Sequence, residues 1–335
     1  MQNQDDPDLL GDLLRKVSRS FYLTLRVLPP SISPQIGLAY LLARTADTIA
    51  DTELVPLAER LSTLRNFRDH VASKRIGKLE LDTFTNAQSD VAERALLQRV
   101  GEALELLRDT EIQDANLIRE VLSTIISGQE LDLIRFSGAS TPQVLALKTA
   151  VELDDYTYRV AGSVGEFWTK LCLKHLLPRF EGNLETLLAD GVRFGKGLQL
   201  VNILRDLPRD LANGRCYLPS DDLHQIGLAP SDLLDHRSAF KLQKVFRHWH
   251  QNARDHLEAG WRYTNTLPRS WVRVRLACAW PVLIGQQTLD LLGGTPNLDP
   301  SRRPKVAKAK VRSMLLKTLV WYPFPQRWNR LFVKT

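Results

Sequence analysis

Cysteine is scarce in this chain of 335 residues: Cys172, Cys216 and Cys278 are the only three, odd in number and widely scattered. Their spacing fits neither a disulfide framework nor a metal-ligand motif, so a reducing, cytoplasmic setting is expected. Long hydrophobic runs are missing too. The most apolar stretch, Cys278-Ala-Trp-Pro-Val-Leu-Ile-Gly285, is interrupted by proline and too short to span a bilayer. The first residues, Met1-Gln-Asn-Gln-Asp-Asp-Pro-Asp8, are acidic and have no apolar core of the kind a signal peptide needs. No Gly-rich nucleotide fingerprint occurs, and no Gly/Ser linker, low-complexity segment or fixed-period repeat divides the chain. Clean apolar/polar alternation is rare, which argues against a sheet. What is there is 44% apolar and 25% charged, enough for a sizeable core in an ordinary globular protein. The apolar residues recur at helical spacing, so the expected fold class is all-α, with one helical domain over residues 1–300 and a tail over 301–335.

Acidic residues are absent from that tail. Residues 301–335 hold ten Lys or Arg, so against a net +7 for the whole chain the other 300 residues carry −3. A basic body would suggest nucleic acid; this body is slightly acidic, no nucleic-acid motif is present, and no nucleic-acid partner is expected. The tail's charge instead suits substrate phosphates or an anionic membrane surface, with the protein peripheral to the inner face of the membrane. Within it, residues 315–332 mix Trp321, Tyr322, Phe324, Trp328 and Phe332 with cations and are broken by Pro323 and Pro325. That segment suits either a membrane interface or docking on the body of the protein.

Two polar stripes stand out. In Gly197–Pro219, Gln199, Asn202, Asp206 and Asp210 share one helical face, with Leu200, Leu204, Leu207 and Leu211 on another. In Leu38–Asp51, Tyr40, Arg44, Asp47 and Asp51 also share a face. Aspartates four apart project side by side and repel one another, so a cation is a natural third party. Each pair has an arginine beside it, Arg44 in one stripe and Arg205 in the other. Carboxylates suit Mg²⁺, which binds through one or two of them plus substrate phosphates, and arginine's planar fork grips phosphate oxygens. If the two helices face each other, four carboxylates line a cleft, and together the stripes point to a diphosphate site.

Elsewhere the spacing predicts helices over 9–17, 57–71, 91–108 and 115–136. Another is expected to open near Pro142 and run through Leu153 to Tyr156. Helices are also expected over 241–263 and, kinked and buried around Pro281, over 273–292. Residues 220–234 read as loop and short helix. Gly128-Gln-Glu-Leu-Asp132 reads equally as a solvated helical turn or as part of a site. His248 and His250, two apart, do not share a helix face and read as surface or core residues.

Four blocks carry a family resemblance: Ser18-Arg-Ser-Phe21, Arg44–Asp51, Tyr156-Thr-Tyr-Arg-Val-Ala-Gly-Ser-Val-Gly165 and Gln199–Pro219. In these, and in their order, the chain resembles the squalene/phytoene synthase family of head-to-head prenyl transferases. The resemblance implies an isoprenoid-synthase-type helical bundle with a central active-site cavity. It implies Mg²⁺ on Asp47, Asp51, Asp206 and Asp210, with Tyr156 catalytic. Substrate binding would fall to Ser18, Arg19, Ser20, Tyr40, Arg44, Gln199, Asn202, Arg205 and Arg215. Two farnesyl diphosphates would condense to presqualene diphosphate in a monomeric enzyme. The helix carrying Cys278-x-x-Pro281 and Thr288-Leu289 resembles the squalene branch, which implies NADPH-dependent reduction to squalene. Arg302, Arg303, Lys305, Lys308, Lys310 and Arg312 would then be phosphate contacts. The alternatives are the phytoene or diapophytoene branch, which needs no reductant, and a non-catalytic lipid-binding relative. The chain departs from the family pattern at Ala50 and Arg209, where an acid is common, and at Pro208, expected to kink its helix.

Overall fold

The computed structural model describes residues 8–18, 21–75, 77–176 and 180–332; the expected site residues Arg19 and Ser20 lie outside them. The described residues are overwhelmingly helical. By internal contacts the chain divides into two units, residues 1–134 with 167–180, and residues 135–166 with 181–335.

In the first unit the central element is the helix Ser33–Asp51, with Pro34 in its first turn. Ile36, Leu38, Leu41, Leu42, Ala46 and Ile49 are all buried, and the helix packs against helices Leu57–Val71, Val91–Gln98 and Val100–Asp109. Its C-terminal end is finished from outside, where Arg60 Nη1 donates to the Ala50 carbonyl at 2.8 Å, as cations do at helix C-termini. The helix expected over 91–108 is two helices, because the backbone turns at Arg99 (φ −106°, ψ 12°). Asp90 caps the first of them, accepting from Ala92 N and Glu93 N at 2.8 and 3.2 Å. Asp114, 1% exposed, staples three segments of this unit together. It accepts from Gln35 Nε2 at 3.0 Å and Lys174 Nζ at 2.7 Å, and pairs with His175 Nε2 at 2.9 Å.

In the second unit the helix Leu184–Ala212 packs along Ala239–Thr266. Asn183 caps it, accepting from Thr186 N at 2.8 Å. Two glycine contacts let helix backbones touch. A Cβ at Gly165 would lie 1.9 Å from the Gly191 carbonyl oxygen, and one at Gly195 would lie 2.0 Å from that of Ala161. Pro208 does not end the helix, which continues to Ala212, so Asp206 and Asp210 stay on one helical face.

Two expectations are corrected here. No helix opens at Pro142. The Thr141–Pro142 bond is cis, the chain beyond it is extended, and Leu145–Ala146 pairs in parallel with Arg215–Cys216. This is a small exception to the absence of sheet. The helix begins instead at Ala150, where Thr149 accepts from Glu152 N at 3.2 Å and Glu152 accepts from Lys148 N at 2.6 Å. The Thr149 side chain is the N-cap, and the Glu152 carboxylate satisfies a second backbone N–H just before it, so this start outweighs a proline.

The tail belongs to the second unit and docks on it. Trp328 is 2% exposed, stacks on Trp261 at 5.3 Å and donates to Asn265 Oδ1 at 2.8 Å. Phe332 stacks on the same ring at 5.8 Å. Burying each such side chain contributes about 1.5–3 kcal/mol. Among the described residues no helix is long and apolar enough to cross a membrane. Cys172, Cys216 and Cys278 are buried, and burial pushes the Cys216 thiol up to about 12.

Candidate functional site

Both aspartate pairs occupy the last two turns of their helices, Asp47 and Asp51 on Ser33–Asp51 and Asp206 and Asp210 on Leu184–Ala212. A helix C-terminus carries partial negative charge, so a carboxylate there is disfavoured even before its neighbour four residues away is counted. Two helices built with the same unfavourable arrangement point to a cationic ligand.

In the first unit Asp47 shows the strain. Burial and then the Asp51 carboxylate push its carboxyl up to about 7, and the pull of Arg44 and Gln129 does not offset them. Its side chain keeps 46% of its surface open, so water screens part of this repulsion. Arg44 lies 3.9 Å from Asp47 but makes its close ion pair with Glu93. Burial alone would lower the Arg44 pKa, yet the Glu93 carboxylate raises it overall. Gln129 donates its Nε2 to Asp47, while its Oε1 is buried with no hydrogen-bond partner. An unsatisfied acceptor beside a carboxylate pair fits a hydrated divalent ion, whose bound water would donate to it. Each pair by itself also suits Mg²⁺, with hard carboxylate oxygens on one helix and an arginine nearby. Among the described residues no three acidic, His or Cys side chains form a cage, so phosphate oxygens would have to complete the coordination.

Two other expected residues of this unit are built into its packing. Tyr40 donates to the Val17 carbonyl at 3.4 Å and stacks on Phe21 at 5.1 Å. Ser18 is 2% exposed, and its Oγ has no hydrogen-bond partner.

In the second unit Asp206 is saturated. Arg205 donates to it at 3.0 and 2.5 Å, and Arg303 donates at 2.9 and 3.1 Å. Burial would raise its pKa, but these two guanidinium groups more than offset that and hold it below the usual range. Asn202, exposed on the same stripe, donates to Gln199 Oε1 at 3.5 Å. Arg215 sits in the short strand, following Gly214, whose φ of +74° and approach to Ser140 (2.4 Å for a Cβ) leave room only for glycine. Tyr156 is 9% exposed and stacks on Tyr217 at 4.8 Å, which Phe136 meets edge-on at 5.2 Å. The chain just beyond Tyr156 is a π-helical turn, Tyr158–Gly162, a distortion frequent at functional sites.

Sequence reasoning missed Glu93 and the Arg303–Asp206 pair, and left Gln129 undecided. Glu93 carries only the signal of a helix start, three residues after its cap. Nothing local connects Arg303 with a residue 97 positions away.

Comparison with known proteins adds a family and a fold. The family model described as squalene/phytoene synthase matches residues 14–310. The presqualene diphosphate synthase of Rhodopseudomonas palustris is 29% identical over 307 residues, 89% of this chain and 91% of that protein. The bifunctional lycopene cyclase/phytoene synthase of Colletotrichum graminicola is 29% identical over 253 residues, 72% of this chain and 39% of that protein. The chain therefore spans well under half the length of that bifunctional relative. Among solved structures, squalene synthase HpnC from Alicyclobacillus acidocaldarius superposes with a TM-score of 0.61 at 20% identity, over 86% of this chain and 94% of that one. At that identity the likeness shows the fold, the all-α isoprenoid-synthase fold expected from the sequence.

Proposed function

Because the chain belongs to the squalene/phytoene synthase family, we propose that it joins two farnesyl diphosphates head to head, with Mg²⁺, to give presqualene diphosphate. The observation that carries this reading is the pair of helices that each end on Asp-x-x-x-Asp with arginine alongside. The near full-length similarity to a presqualene diphosphate synthase supports the choice of product.

Asp47 and Asp51 on one helix, and Asp206 and Asp210 on the other, would each hold a divalent cation, which would supply charge neutralisation to a departing diphosphate. Arg44 and Arg205 take outer phosphate oxygens. Ser18, Arg215, Gln199 and Asn202 are likewise assigned to diphosphate oxygens. Tyr40 orients the first aspartate helix by anchoring it to the Val17 carbonyl. Loss of diphosphate leaves an allylic carbocation, which aromatic faces stabilise without trapping; Tyr156, Tyr217 and Phe136 form such a cluster. The Tyr156 hydroxyl is assigned to accepting or returning a proton.

Reduction to squalene with NADPH is the finer reading. It rests on the resemblance of the Cys278-x-x-Pro281 helix to the squalene branch; the exposed cations Arg302, Arg303, Lys305, Lys308, Lys310 and Arg312 would suit any polyanion, so no step is routed through the nucleotide. The tail supports peripheral binding to an anionic membrane, since Leu316, Leu319, Val320 and Phe324 are 62, 51, 54 and 50% exposed among its cations.

The test is diphosphate release from farnesyl diphosphate by the purified chain. Release should require Mg²⁺ and be lost with EDTA. Metal-independent release, or none with Mg²⁺ present, would overturn the reading. A dehydro hydrocarbon formed equally with and without NADPH would move the chain to the phytoene branch.

A further inference from the structure

Asp206 has no free acceptor capacity. A carboxylate offers about four lone-pair sites, and here each oxygen accepts once from Arg205 and once from Arg303. A cation can therefore reach Asp206 only by displacing a guanidinium. The two arginines are not equivalent. Arg205 is the neighbouring residue on the same helix and is 26% exposed. Arg303 comes from a loop, and its side chain is 55% exposed while Asp206 is only 19% exposed.

The loop that presents Arg303 is pinned, so the side chain alone has to move. It leaves helix Val272–Leu292 through Gly293 and Gly294, both at positive φ. Leu298 and Val306 bury on either side of Arg303. Asn297 donates to the Arg302 carbonyl at 2.9 Å, and Asp299 accepts from Ser301 N at 2.9 Å.

Resting on the metal-dependent diphosphate reading above, we propose that Arg303 is a displaceable latch. It neutralises Asp206 while no cation is bound, and turns onto the diphosphate when the cation takes the carboxylate. The exchange converts a competitor for the metal into a ligand for the substrate. It also makes metal binding by the second aspartate pair weak until diphosphate arrives, which favours their binding together. An arginine kept only as a structural ion pair would stabilise the loop and affect both ligands alike.

The latch therefore makes Arg303→Ala shift two affinities in opposite directions. The measurement is titration with Mn²⁺, as a spectroscopic stand-in for Mg²⁺, followed by electron paramagnetic resonance. Both arms use an Asp47→Asn/Asp51→Asn background, so that only the second pair reports. Without anion, Arg303→Ala should bind Mn²⁺ roughly two- to fivefold tighter, the range expected on removing one exposed charge competitor. With Mn²⁺ saturating, it should bind inorganic pyrophosphate at least about tenfold more weakly, as expected for loss of a charge-assisted contact. Arg303→Lys should fall between. Unchanged Mn²⁺ affinity, or shifts of the same sign in both arms, would overturn the latch while leaving the metal site intact. If the background protein binds Mn²⁺ no better than it does with Asp206→Asn added, the metal-site reading itself fails, and the latch with it. Arg303 is exposed, so an unchanged melting temperature is expected and serves as the folding control.

Discussion

At the scale of single residues, Asp47 registers most clearly the cost of setting two carboxylates one helical turn apart. Asp47→Asn should reduce metal-dependent diphosphate release by at least about a hundredfold while leaving the fold intact, because it also removes a like charge next to Asp51. Full release by this variant would remove Asp47 from the site. A second consequence follows from its pKa of about 7 in the folded chain, against about 4 when unfolded. Between those values the folded state keeps a proton that the unfolded state has lost, so stability falls as pH rises from about 4 to about 7. Melting curves in EDTA should show this decline in the wild type and a flatter profile in Asp47→Asn. Parallel profiles would contradict the raised pKa. Both aspartate pairs and their arginines were legible in the sequence because helical spacing of four announces a shared face. Glu93 and Gln129 were not, because they reach Arg44 and Asp47 from 49 and 82 residues away, and no local period encodes such a contact.

Among the elements, the close backbone contacts of helix Leu184–Ala212 matter most, since this helix carries the second aspartate pair. Gly195→Ala would drive a Cβ to 2.0 Å from the Ala161 carbonyl oxygen. It should cost about 1–3 kcal/mol and lower turnover by moving the helix. Gly101→Ala is the control: it lies in a helix with nothing within 4 Å of its Cβ position, and should stabilise by about 0.5 kcal/mol. Chemical denaturation of both variants checks the pair, and equal effects would show that the contact is not tight. The sequence shows that Ala161, Gly162 and Gly165 are small, but no local pattern says which backbone they admit. It placed a helix start at Pro142 because proline suits a first turn. It passed over Thr149-x-x-Glu152, whose side chains accept from Glu152 N and Lys148 N and so satisfy two backbone donors at the helix start. Pro208 was expected to disturb its helix and does not end it; helix packing on both sides of the element outweighs one lost hydrogen bond.

At the level of the whole molecule, the two units were not legible in the sequence, since no linker marks them and two of their boundaries fall inside the helices Ile112–Arg135 and Ser163–Leu176. The tail could be read two ways, and each describes part of it: Trp328 and Phe332 dock on Trp261, while Leu316, Leu319, Val320 and Phe324 stay exposed. Vesicles containing anionic lipid should therefore bind the chain at low salt, at roughly 1 kcal/mol per cation near the surface, and release it as salt rises. Leu316→Ser with Phe324→Ser should weaken that binding without unfolding the protein, whereas removal of residues 315–335 should lower the melting temperature as well. Binding that ignores both salt and the double variant would refute a membrane face here. The central claim is head-to-head condensation, and its most direct test is the identity of the product. Purified chain incubated with farnesyl diphosphate and Mg²⁺, without NADPH, should accumulate presqualene diphosphate, identified by mass spectrometry. A longer head-to-tail prenyl diphosphate, or farnesyl diphosphate recovered unchanged, would contradict the account.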